Sequence, residues 1–183
     1  MAITIYTTAD GKAYTAGDGT LIVIGSLLSL ITDRTPRDVE EVKALTEAIK
    51  AGTATEPQVR QYLEEINKGA YTYRDLNRVE DAVQYVATRL REFGYLKNTP
   101  TVRYWGVEDK PNANDFARYF TNVAMLRDAI AVWETTPEAP RSVVGFDTSK
   151  ANALERILVD VDQILDLIFG AWFFSGDTYS GEV

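Results

Sequence analysis

Cysteine and histidine are both missing from the chain. Their absence removes disulfide frameworks, thiol nucleophiles, Ser-His-Asp and Cys-His catalysis, haem ligation by imidazole, and zinc sites built from these side chains. Basic residues are also scarce: 19 Lys and Arg stand against 27 Asp and Glu, for a formal net charge of −8. A molecule of that sign repels phosphate backbones at neutral pH, so no nucleic-acid partner is expected. Long apolar runs are lacking as well. Leu21 to Ile31 is interrupted by Gly25 and Ser26 and is too short for about 30 Å of hydrocarbon, and Met1 to Tyr6 has no basic start; neither membrane insertion nor a secretory signal is expected.

What remains is the composition of a globular chain, with 45% hydrophobic and 25% charged residues over 183 positions, long enough to bury a core. The start differs in character from the rest. Ile3, Ile5 and the β-prone Thr4, Tyr6, Thr7 and Thr8 run into Asp10-Gly11; Ala13, Tyr14 and Thr15 lead to Asp18-Gly19 and then Leu21 to Ile24. Two Asp-Gly pairs between β-prone runs predict a small β hairpin or three-strand element. Such a piece is marginal in water unless it packs on something else.

From Thr35 the punctuation turns helical. Thr35-Pro36 opens a first helix with Val39, Val42, Leu45 and Ile49 as its apolar stripe, and Gly52 closes it. Thr55, Glu56 and Pro57 open a second, with Val59, Tyr62, Leu63 and Ile66 as its expected buried face and Gly69 as its stop. Thr72 with Asp75 begins a third of about twenty residues carrying Leu76, Val79, Val83, Val86, Leu90 and Phe93 to Gly94. Residues 95 to 111 read as a connector in which Thr101 to Trp105 either form a strand or cross the surface. Asn112 or Asn114 caps a fourth helix faced by Phe116, Tyr119, Phe120, Val123, Leu126 and Ile130, with Trp133 at or just past its end. Pro137, Pro140 and Gly145 mark a loop. The last helix starts near Thr148 or Ser149 and carries Leu154, Ile157, Leu158, Val161, Leu165, Ile168 and Trp172, a stripe fit for the centre of a bundle. The expected fold is mainly α: an up-and-down bundle of four to five helices over 32–183, with a β hairpin appendage over 1–31.

Acid/base chemistry would fall to carboxylates, and Glu64, Glu65, Asp75, Glu80, Asp81, Asp160, Asp162 and Asp166 lie on or near helices. None has the context of a calcium loop, a phosphate cradle or a nucleophile elbow, and Asp162 with Asp166 reads as a solvated face. No catalytic residue, metal ligand or cofactor is assigned. Asn77 and Asn122 fall beside the apolar stripes of their helices and need hydrogen-bond partners. Ten Tyr and three Trp include rings at the chain end, where large apolar groups imply a covering surface. The assembly residues this suggests are Ile3, Ile5, Tyr6 and Tyr14 on the hairpin and Phe173, Phe174 and Tyr179 at the other end.

Thr32-Asp33-Arg34-Thr35, the run from Gly69 through Tyr71, Arg74, Asp75, Asn77 and Arg78 to Glu80, and Arg118-Tyr119-Phe120 with Asn122-Val123 and Leu126-Arg127 together resemble a family of small proteins encoded among the tail genes of bacteriophages and prophages of Gram-positive, often gut, bacteria. Asn152 to Leu158 and Trp172 to Glu182 are similar too, so the resemblance covers 32–183. It implies a virion component of the tail, baseplate or fibre, assembled in the host cytoplasm, whose partners are copies of itself and neighbouring virion proteins. It brings no catalytic or ligand residues. Two alternatives share the residue chemistry: a carboxylate-dependent cell-wall hydrolase on the tail, and a soluble helical adaptor in the infected cell.

Overall fold

The computed structural model describes residues 27, 29–64 and 67–176, with side chains through residue 171. Among these the chain is mainly helical, with five helices and no strand: α1 (Pro36–Ala51), α2 (Glu56–Leu63), α3 (Tyr73–Glu92), α4 (Ala113–Arg127) and α5 (Thr148–Gly176). The hairpin expected within 1–31 lies outside the described residues. Thr101 to Trp105 crosses the surface without forming a strand.

Local side chains fix the helix starts. Thr35 and Asp38, Thr72 and Asp75, and Asn112 and Asp115 form reciprocal capping boxes, each satisfying backbone N–H groups the first turn leaves free. At the end of α1, Gly52 adopts φ 68°, a left-handed conformation that costs glycine little.

The core belongs to α3, α4 and α5, each packed against the other two. Val79, Val83, Val86 and Leu90 from α3, Tyr119, Phe120, Val123 and Leu126 from α4, and Leu154, Ile157, Leu158, Val161 and Leu165 from α5 are buried together with Leu96 and Trp105 of the connector. The stripes read from sequence are therefore the packing faces of these three helices as far as Leu165; Ile168 lies outside the core and the Trp172 side chain outside the described residues. Ile130 and Trp133 lie past the end of α4, in an irregular stretch that reaches α5.

The first two helices behave differently. They pack on each other, yet neither contributes a residue to the core or to the partly buried shell around it. On α1 only Leu45 is buried. The second helix buries nothing: it stops at Leu63, well before Gly69, and Val59, Tyr62 and Leu63 are 38%, 39% and 70% exposed. An eight-residue helix presents about two turns, too little area to cover a core already closed by three longer helices.

The return from α2 to α3 passes the start of α1 at close quarters. A Cβ at Gly69 would overlap the Asp38 carbonyl and the Val39 amide nitrogen. Gly69→Ala is expected to cost about 1–3 kcal/mol through forced backbone displacement, read as a lower urea midpoint at unchanged slope. An unchanged midpoint would mean that this crossing is loose.

Candidate functional site

The most concentrated polar chemistry lies where the segment before α1, the start of α3 and the middle of α5 meet. Glu155 is fully buried on α5, flanked by Leu154 and Ile157. Its Oε1 accepts from Arg34 Nη2 at 2.6 Å and Arg78 Nη2 at 2.9 Å; its Oε2 accepts from Arg78 Nε at 3.2 Å and from the Ile31 backbone N–H. Asp75 caps α3 through Oδ2, which accepts from the Thr72 N–H at 2.8 Å, and through Oδ1 accepts from Arg34 Nη2 at 3.0 Å and Arg78 Nη2 at 2.5 Å. Arg34 is 5% exposed and also donates Nη1 to the Ile31 carbonyl. Two guanidinium groups and two carboxylates thus sum to zero charge inside the fold. Such pairing offsets the removal of these charges from water, and one buried donor of the cluster, Arg34 Nε, is left without a partner.

Asn152, one turn before Glu155, grips the Arg34 backbone from both sides: Oδ1 accepts its N–H and Nδ2 donates to its carbonyl, each at 2.9 Å. The Arg34 guanidinium lies 5.3 Å from the centre of the Tyr71 ring. Tyr71 in turn shares a 2.6 Å hydroxyl hydrogen bond with Tyr119 and meets Phe146 edge to face at 5.0 Å. Burial raises both phenols above their usual range, with the nearby Glu155 charge acting in the same direction. Burial would lower the Arg78 value, but the hydrogen bond and charge of Glu155, with Asp75, raise it above the ordinary guanidinium range. These groups hold their protons firmly at neutral pH, the opposite of what a general acid or base needs.

Three further clamps join the helices. Glu80, 1% exposed on α3, receives both Nη groups of Arg118 from α4, at 2.5 and 3.2 Å. Arg118 and Asn122 both donate to the Thr101 carbonyl, and Asn77 exchanges two hydrogen bonds with the Trp105 backbone. The two asparagines find their partners on the connector, which they tie to α3 and α4. Arg89 bridges from α3 to Asp162 and Asp166 on α5, and Thr136 donates to the buried Asp160 at 2.8 Å. Asp162 and Asp166 are therefore both ion-pair partners of Arg89; Asp166 stays solvated with its side chain 65% exposed, while Asp162 is largely covered, which corrects the reading of a plain solvated face for Asp162 alone. Burial raises the Asp162 carboxyl above the usual range, opposed by Arg89.

A cavity of about 460 Å³ lies between α1 and the body, lined by Arg34, Val39, Glu40, Lys43, Tyr71, Phe146, Asp147 and Ala151 among others. Its charges balance, and Asp147 Oδ1 caps α5 by accepting the Lys150 N–H at 2.9 Å. No group of three or more Asp or Glu side chains that could hold a metal converges among the described residues. No helix among them is long and apolar enough to cross a membrane.

The expected assembly residues are not brought together on the described part of the molecule. Ile3, Ile5, Tyr6, Tyr14 and Tyr179 lie outside it, as do the side chains of Phe173 and Phe174. The backbone of the last two is helical: α5 continues through them to Gly176. Just before them Ile164 and Leu165 are buried, while Leu167 and Phe169 are 63% and 52% exposed on other sides of the same turns, beside the exposed Asp166. Phe169 rests edge to face on Phe93 at 5.9 Å. Sequence reasoning missed this surface because these two positions fall off the spacing of the core stripe. An apolar residue off the stripe was the available signal. Compared with family models, curated proteins and solved structures, the chain matches none of them.

Proposed function

We propose that this chain is a non-enzymatic structural subunit that acts through protein–protein assembly. The carrying observation is the end of α5, where the large apolar side chains of Leu167 and Phe169 stay exposed. Exposed apolar surface of that kind ordinarily ends up covered. The buried carboxylates support the same reading, since Glu155, Asp75 and Glu80 are spent on arginines within the fold. The setting, a phage tail with copies of the chain and neighbouring virion proteins as partners, is supported by the sequence resemblance of residues 32–183. The same reading takes the helices as an up-and-down bundle and the expected hairpin of 1–31 as a second attachment piece.

Light scattering on the full chain tests the assembly. The native protein is expected to form oligomers, and Leu167→Glu with Phe169→Glu to weaken association at least about hundredfold, since each apolar side chain stabilises by about 1.5–3 kcal/mol when covered. Retained helicity in the double variant keeps the result interpretable. A native monomer, or an oligomer indifferent to both changes, would remove the surface from consideration. Mass spectrometry of purified particles tests the setting separately.

A further inference from the structure

We infer that α1 and α2 form an arm that swings away from the α3–α4–α5 body as one unit, held shut by a polar latch centred on Arg34. This device is separate from the α5 surface. Three observations carry it. First, the arm shares nothing with the core: no residue from 36 to 63 belongs to it or to the hydrophobic shell packed on it. Second, the space between arm and body is open, with the 460 Å³ cavity walled by Val39, Glu40 and Lys43 on one side and Tyr71, Phe146 and Ala151 on the other. Tight packing across it would leave no such volume.

Third, what fastens the arm is concentrated at its two roots. At the entry, Arg34 is paired to Asp75 and Glu155 and gripped by Asn152. At the exit, Gly69 lies against the Asp38 backbone, Lys68 pairs with Asp33 at 2.5 Å across the two roots, and Arg74 Nη1 of α3 donates to the Glu64 carbonyl just past α2 at 2.5 Å. Hydrogen bonds and ion pairs need their geometry, so a small displacement loses them together, whereas an apolar contact weakens gradually. An element joined this way opens between discrete states and keeps its own helices while doing so.

Because the chain has no cysteine, spin labels can be placed by single substitutions. Glu47→Cys on α1 and Gln163→Cys on α5 are both exposed sites. Double electron-electron resonance on this pair in the full chain is expected to give a short closed distance with a minor longer one. Arg34→Met should raise the longer population at least about tenfold. Asn152→Ala, which leaves the ion pairs in place, should raise it less. Hydrogen exchange should show amides of α1 exchanging through an opening that leaves Val79 to Leu90 protected. The inference is overturned if the distance stays single in both variants, or if α1 exchanges only together with the body. It is equally overturned if the α1 amides are unprotected from the outset, since the arm would then melt where it stands.

Discussion

Glu155→Gln is expected to lower the free energy of unfolding by about 3–5 kcal/mol, the size seen when one member of a buried ion pair is removed. The side chain has no exposed surface and receives four donors: Arg34 Nη2, two nitrogens of Arg78 and the Ile31 N–H. Glutamine keeps the shape but offers one carbonyl oxygen and an NH2 group that must face guanidinium donors. Two positive charges then share Asp75 alone, and the buried cluster carries a net charge of one. The remedy follows from the same arithmetic: Arg34→Met with Glu155→Leu leaves Arg78 facing Asp75, neutral again, with apolar volume in place of charge. That double variant is expected to be more stable than the sum of its two single losses, by about 0.5–3 kcal/mol of coupling. Urea unfolding followed by circular dichroism gives all three values. A contrast is the exposed Arg37–Glu41 pair on α1, with side chains 85% and 62% exposed, where screening leaves an expected loss within about 0.5 kcal/mol. A loss below about 1 kcal/mol for Glu155→Gln would mean that water reaches the cluster.

The helix starts were legible because capping is local. Thr35 with Asp38 and Thr72 with Asp75 satisfy backbone groups three residues away, and no distant partner is needed to read them. The packing faces of α3, α4 and α5 were legible for the same reason, as periods of three and four along one segment. The polar clamps were not. Glu155 and Arg34 are 121 positions apart, and no periodicity links them; each charge viewed alone resembles an exposed residue. Asp162 and Asp166 look like a wet face until Arg89 arrives from another helix. Arg34, Asp75, Asn77, Arg78, Glu80, Arg118, Asn122, Asn152 and Glu155 all serve in the clamps. On α2 local patterning misled: Val59, Tyr62 and Leu63 have the spacing of a buried face, but they stay 38%, 39% and 70% exposed and join no part of the core. Amphipathicity shows that a face wants cover, and only the third dimension says whether a neighbour is there.

Trp105→Ala is expected to cost about 3–5 kcal/mol, the range for emptying a large aromatic site in a core. The residue belongs to the connector between α3 and α4, which has no regular structure of its own, yet it is only 4% exposed. The connector cannot lean on a backbone ladder, so Asn77 supplies one in miniature: its Oδ1 accepts the Trp105 N–H at 2.7 Å and its Nδ2 donates to the Trp105 carbonyl at 2.9 Å. Arg103 closes the site from outside, with its guanidinium 4.2 Å from the ring centre. The indole Nε1–H is buried without an acceptor, which costs about 1–3 kcal/mol for a polar group taken from water. Trp105→Phe removes that donor while keeping most of the apolar area, and is expected to change stability by less than about 1.5 kcal/mol. The two substitutions together separate filling from hydrogen bonding, provided that unfolding is followed by circular dichroism, since both delete a fluorophore. If alanine cost no more than phenylalanine, the connector would be a passive strap, and the core would end at the three helices.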